Sequence, residues 1–125
     1  VSSLETLYLQ ECSLQCDDIG PVFSLVTAAG SIKIVGLNNN NLHGIQGDQI
    51  TPVSSLEALC LGLCSLQCDD IGPIFSLVAA AGSIKRLFLH NNNLQGIQRD
   101  QITLVSSLEE LSLSECNLQC GDYVP

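Results

Sequence analysis

Leu4-Glu5-Thr6-Leu7-Tyr8-Leu9-Gln10-Glu11-Cys12-Ser13-Leu14 reads L-x-x-L-x-L-x-x-C-x-L, and four more segments of the chain repeat it. The pattern returns with Asn for Cys at Ile32, Val35, Leu37, Asn40 and Leu42, then with Cys at Leu56, Leu59, Leu61, Cys64 and Leu66. Ile84, Leu87, Leu89, Asn92 and Leu94 form the fourth copy, and Leu108, Leu111, Leu113, Cys116 and Leu118 the fifth. Starts at residues 4, 32, 56, 84 and 108 are spaced by 28, 24, 28 and 24. A period of this size is the signature of stacked supersecondary units.

Alternation at Leu7, Tyr8 and Leu9 is a strand pattern: Leu7 and Leu9 face one way, Thr6, Tyr8 and Gln10 the other. A strand this short cannot bury its apolar face alone. Equivalent strands stacked about 4.8 Å apart in a parallel sheet bury the leucines together and leave the intervening residues on one open face. At the ninth motif position the chain leaves the strand and exposes backbone groups. An Asn amide both donates and accepts there, where a buried orphan costs roughly 1 to 3 kcal/mol. Asn40 and Asn92 are therefore expected to be buried and bonded.

Residues 1 to 52 align with 53 to 104 without a gap, and 39 of the 52 positions are identical, so the true unit is a pair of repeats. After Leu14, the residues Ile19, Val22, Phe23 and Val26 fall at i, i+3, i+4 and i+7, which predicts an amphipathic helix of about three turns behind the strand. Asp17 or Asp18 is expected to cap its start, Pro21 is tolerated in its first turn and Gly30 stops it. In the short repeat, Ile45, Ile50 and Val53 can point inward. Gly44, Gly47 and Pro52 argue against a full helix, leaving a short helical turn around Asp48 to Ile50.

These five motifs resemble those of leucine-rich repeat proteins over essentially all of residues 1 to 125. The 28-residue form resembles repeats of ribonuclease inhibitor and of the sensor domains of NOD-like receptors. The 24-residue form looks like repeats common in extracellular and plant receptors. The expected fold class is α/β: a single right-handed leucine-rich repeat solenoid, or horseshoe, with a concave parallel sheet and a convex side alternating between helices and short turns. The final repeat breaks off at Gly121 to Pro125, and neither end carries a polar capping segment. Uncapped ends expose leucines and a bare strand edge, which points to a fragment, an engineered array, or ends that pair with other copies.

Thirteen acidic against four basic residues give a net charge of -9. Without a basic patch, that charge repels nucleic acid and anionic lipid and favours a protein partner with a basic surface. No run of 18 or more apolar residues is present, so no membrane span is expected, and Val1-Ser2-Ser3 already reads as repeat sequence rather than as a signal peptide.

Seven cysteines raise a metal or disulfide reading, and Cys12/Cys16, Cys64/Cys68 and Cys116/Cys120 share the spacing C-x3-C. Equivalent cysteines lie two strands apart, about 9 to 10 Å, too far for a bridge or a shared zinc. Cys12, Cys64 and Cys116 are read as small buried hydrophobes, with a local disulfide of the Cys12–Cys16 type as the alternative. An odd count of free thiols suits a reducing, cytoplasmic setting. Cys60, on the open face, is free to oxidise. His43 and His90 should not meet, and no serine or cysteine nucleophile stands with a His and an acid in a recognisable signature. The pairs Asp17-Asp18 and Asp69-Asp70 read as helix-start residues. No catalytic residue, metal ligand or cofactor is expected.

The two halves differ at 13 positions, seven of them at motif positions 3, 5, 7 or 8: Thr6/Ala58, Tyr8/Cys60, Gln10/Gly62, Glu11/Leu63, Ile34/Arg86, Gly36/Phe88 and Asn38/His90. The third long repeat differs again with Glu110, Ser112, Ser114 and Glu115. A scaffold held fixed while its open face varies is the pattern of a binding surface, and Tyr8, Ile34, Leu63, Arg86 and Phe88 include residue types favoured in interface centres. Drift at unconstrained exposed positions is the bland alternative. The candidate partner-binding set is Thr6, Tyr8, Gln10, Ile34, Asn38, Cys60, Leu63, Arg86, Phe88, His90, Glu110 and Ser112. The family resemblance implies non-enzymatic protein recognition through this face. The other reading is an engineered or structural scaffold that has no cognate ligand and self-associates through its ends. A further row, Glu5, Lys33, Glu57, Lys85 and Glu109, alternates in charge at motif position 2 and is expected to help set the stacking order.

Overall fold

The computed structural model describes residues 4–46, 53–97 and 107–116. Each motif copy forms a three-residue strand: β1 (Thr6–Tyr8), β2 (Ile34–Gly36), β3 (Ala58–Cys60), β4 (Arg86–Phe88) and β5 (Glu110–Ser112). They form one open parallel sheet in the order β1-β2-β3-β4-β5. Register follows the motif, with Leu7 against Val35, Val35 against Leu59, Leu59 against Leu87, and Leu87 against Leu111. One strand per copy, stacked in chain order, is consistent with a solenoid-like layout.

Among the described residues two helices follow the long-repeat strands: α1 (Ile19–Ala29) after β1 and α2 (Ile71–Ala81) after β3. Their inward residues, Ile19, Phe23 and Val26 in α1 and Ile71, Ile74, Phe75 and Val78 in α2, join one core with Leu37, Leu59, Leu61 and Leu87 from the sheet. Both helices end at a glycine with left-handed backbone, Gly30 and Gly82. Their starts differ from the expected cap. A 3-10 turn, Cys16–Asp18 or Cys68–Asp70, precedes each helix. The carboxylates of Asp18 and Asp70 reach back to the N–H groups of Gln15 (2.8 Å) and Gln67 (2.9 Å) instead of capping helix donors. The extra tight turn moves the orphan donor upstream, and the aspartate follows it.

Asn40 and Asn92 are buried. The Asn92 Oδ1 accepts from the backbone of Cys64 (2.9 Å) and Leu66 (3.0 Å), and its Nδ2 donates to the carbonyls of Leu61 (3.0 Å) and Leu89 (2.8 Å). Asn40 makes the same set one pair of repeats earlier, to Cys12, Leu14, Leu9 and Leu37. Each amide thus ties its own turn to the turn before. The alternate copies use Cys, whose thiol only donates: Cys64 to the Leu37 carbonyl and Cys116 to that of Leu89, both 3.1 Å. The residue before each ninth position, Glu11, Asn39, Leu63, Asn91 or Glu115, has positive φ, which turns the ninth side chain inward at the cost of backbone strain.

Cys12 departs from expectation: it is exposed, whereas Cys64 and Cys116 are buried. The physical reason is its place in the turn after β1, a strand with no preceding neighbour among the described residues to supply a carbonyl and cover the sulfur. Leu7 and Leu9 are half-buried for the same reason. Cys12 and Cys64 are free thiols, so the local C-x3-C disulfide does not form at either. The charged row at position 2 is joined by backbone hydrogen bonds. Lys33 N–H donates to the Glu5 carbonyl and Glu57 N–H to that of Lys33, each 2.7 Å, and no Lys–Glu pair among the described residues closes to ion-pair distance. Ile45 and Val53 point inward as expected. The predicted turn at Asp48 to Ile50, together with Cys120 and the final break, lies outside the described residues. Among those residues, no helix is long and apolar enough to cross a membrane.

Candidate recognition face

Strand alternation and parallel register sort the candidate residues into rows across the open face. Thr6, Ile34, Ala58, Arg86 and Glu110 form one row, and Tyr8, Gly36, Cys60, Phe88 and Ser112 the next. A third row, Gln10, Asn38, Gly62, His90 and Ser114, is held by the ladder Glu11 N–H to Asn38, Asn39 N–H to Gly62, Leu63 N–H to His90 and Asn91 N–H to Ser114. None of the twelve candidate side chains is buried, and Tyr8 (58 % exposed) and Leu63 (49 %) are the most open of its large apolar groups. Ala58, in the same row, is buried between its longer neighbours Ile34 and Arg86. Eleven of the twelve belong to these three rows, and Leu63 follows Gly62 of the third.

Two aromatic rings on this face are seated on glycines of the adjoining strands. A Cβ built at Gly36 would meet the Tyr8 ring at 2.7 Å, and one at Gly62 would overlap the His90 ring. Each ring occupies space that a side chain at the glycine would need, so Gly36 and Gly62 admit the rings of Tyr8 and His90. Asn38 lends a second function: its Oδ1 accepts from Gly62 N–H at 3.0 Å and pins the third row.

The electrostatics of the face differ from those of the whole chain. Of the twelve candidates only Arg86 and Glu110 are charged, and they are register partners on β4 and β5. The other acids of the described residues sit elsewhere: Glu5, Glu57 and Glu109 in the position-2 row, Glu11 and Glu115 at the rim, and Asp17, Asp18, Asp69 and Asp70 at the helix starts. Burial pushes the Cys60 thiol up, and the Arg86 charge partly opposes this. Burial pushes Cys64 up to about 11 and raises Cys116 as well. Such thiols stay protonated at neutral pH and are poor nucleophiles.

Beyond the rim, two open grooves of about 390 and 310 Å³ repeat between successive turns, one bounded by Glu11, Gln15 and Asn41, the other by Leu63, Gln67 and Asn93. Rim hydrogen bonds stiffen this edge: Asn39 Nδ2 donates to Glu11 at 3.4 Å and Asn91 Nδ2 to Glu115 at 2.9 Å.

One constellation escaped sequence reasoning. His43, in the turn after β2, places Nδ1 2.8 Å from Oδ2 of Asp70, which is only 2 % exposed. Asp70 Oδ1 also accepts from Gly44 N–H at 2.9 Å. The Asp70 hydrogen bond, then its charge and that of Asp69, raise the His43 pKa above 6.5 against an opposing effect of burial. His43, Asp69 and Asp70 are the one group among the described residues where three metal-capable side chains converge, their ligand atoms within 4.8 Å of one another. The Asp70 oxygens already make three hydrogen bonds, two at Oδ2 and one at Oδ1. The only sequence signal was that His43 stands 27 residues before Asp70, one long-repeat period less one. His90 serves a different neighbour, Gly62. No protein-family model matches the chain.

Proposed function

We propose that the chain is a leucine-rich repeat solenoid that recognises a protein partner, without catalysis, through the open face of its sheet. The observation that carries this reading is that seven of the 13 positions at which the two halves differ belong to the open face of the sheet or its rim, while the core behind them changes only between apolar residues, Val22/Ile74 and Val35/Leu87. Tyr8, Ile34, Cys60 and Phe88 give that surface an apolar middle, and Arg86 and Glu110 give it one positive and one negative anchor. A basic partner surface would engage the rim acids Glu11 and Glu115 rather than the strands. The raised Cys60, Cys64 and Cys116 thiols favour binding over thiol chemistry, and the free thiols of the core suit a cytoplasmic setting.

The test compares capture of proteins from a cell extract by the parent chain, by a Tyr8→Ala/Arg86→Ala/Phe88→Ala triple variant, and by Leu25→Ala. Leu25 is an exposed apolar residue on α1, away from the sheet face. The reading expects a partner that the triple variant loses and Leu25→Ala retains, with all three melting within a few degrees. Identical captured sets for parent and triple variant would sink it.

A second reading, a self-associating structural scaffold, is favoured by the open sheet, in which β1 and β5 each have one neighbour among the described strands. Light scattering on dilute and concentrated reduced samples separates the two. A concentration-dependent oligomer supports the scaffold, and a monomer throughout supports partner recognition.

A further inference from the structure

We propose that His43 and Asp70 form a pH-sensitive latch that clamps the turn of one short repeat onto the helix start of the next long repeat. The geometry is a charged pair with unequal partners. Asp70 is almost wholly buried and fixed on three sides, by Gln67 N–H at 2.9 Å, Gly44 N–H at 2.9 Å and His43 Nδ1 at 2.8 Å. The His43 side chain is 42 % exposed, so its ring exchanges protons with solvent while its partner stays in place. The molecule contains its own control. Asp18 occupies the equivalent place in the first long repeat, accepts from Gln15 N–H in the same way, and is exposed. In the second half of the sequence, Gln95 replaces His43, so the titrating side of the latch occurs once.

The groups facing the ring are few. Asp70 and Asp69 approach it from the turn before α2, and both favour the imidazolium. Across Gly44, the Cys16 sulfur from the turn before α1 would lie 3.7 Å from a Cβ at that glycine. Because the folded His43 pKa is raised, its contribution to stability is complete below about 6.5 and is lost as pH rises through the raised folded value. The neutral ring still donates Nδ1–H to Asp70, so the latch weakens with rising pH rather than vanishing. A fixed buried carboxylate behind a solvent-facing histidine is a fitting arrangement for a proton-responsive contact, because only one partner has to change charge.

The experiment measures thermal unfolding midpoints of the parent chain, His43→Gln and His90→Gln from pH 5.5 to 8.5, without and with EDTA, together with an NMR titration of the His43 ring. Gln is the residue the chain itself places at the equivalent position, so His43→Gln should fold. The latch expects the parent midpoint to exceed that of His43→Gln by several degrees at pH 5.5 and by much less at pH 8.5. His90→Gln should track the parent, and the His43 ring should titrate above 6.5. A gap between parent and His43→Gln that is constant with pH, or a His43 ring titrating at or below 6.5, would overturn it. A gap that disappears in EDTA would overturn it in favour of a metal site at His43, Asp69 and Asp70.

Discussion

Cys16-Asp17-Asp18-Ile19-Gly20-Pro21 and Cys68-Asp69-Asp70-Ile71-Gly72-Pro73 are the same six residues in two long repeats, and they have different fates. Asp18 is exposed, and Asp70 is buried with three donors on its carboxylate. Local structure does not separate them: each lies in a 3-10 turn that leads into an 11-residue helix. The difference is the company. The second copy has a short repeat before it, whose His43 and Gly44 cover the aspartate, and α2 accordingly buries Ile74 and Leu77 where α1 leaves Val22 half-buried and Leu25 exposed. In a stacked array, position in the stack sets the worth of a side chain as much as its identity does.

The contrast is sharpest at the buried amides. Asn92→Ala strands donors and carbonyls of two turns in the interior and is expected to cost roughly 3 kcal/mol or more. Asn40→Ala frees the partly exposed N–H groups of Cys12 and Leu14, which water can reach, so about half that cost is expected. Urea unfolding of both variants decides the matter, and equal losses would mean that stack position does not set the cost.

A smaller separation is expected at the aspartates. Asp70→Asn places an amide hydrogen against the Gln67 and His43 donors or the Gly44 donor, at roughly 2 kcal/mol. Asp18→Asn, in water, should fall within about 0.5 kcal/mol of the parent. Midpoints measured side by side at pH 6 would break the comparison if Asp18→Asn were the more damaging of the two.

The mildest probe perturbs nothing. Burial pushes the Cys64 thiol up to about 11, so it stays protonated at pH 7.5, and the residue is fully buried. Iodoacetamide should therefore modify exposed Cys12 well before Cys64, which reacts only as the chain opens. Peptide mass mapping over time reads the order directly, and simultaneous labelling would show that the first strand is no looser than the third.

Much of this organisation was legible in the chain. The strands follow from the alternation at Leu7-Tyr8-Leu9 and its copies, the helices from Ile19, Phe23 and Val26 bounded by Gly30, and the buried amides from the polar residue at an apolar motif's ninth position. The fate of Cys12 was not legible. Its motif position is that of Cys64, and the pattern carries no mark of which strand lies at the edge. The alternating charges at position 2 form a row as read, and no Lys–Glu pair in it closes to ion-pair distance among the described residues, in keeping with the small worth of exposed pairs.

The sequence by itself determined the repeating elements, because strand alternation, helical spacing and turn chemistry are local and recur in each copy. Only the tertiary structure decided which of two identical aspartates is buried, that His43 is its partner, and that Gly36 and Gly62 seat the rings of Tyr8 and His90. Each of these depends on contacts between residues 26 to 28 positions apart, where a neighbouring repeat supplies the donor, the cover or the space.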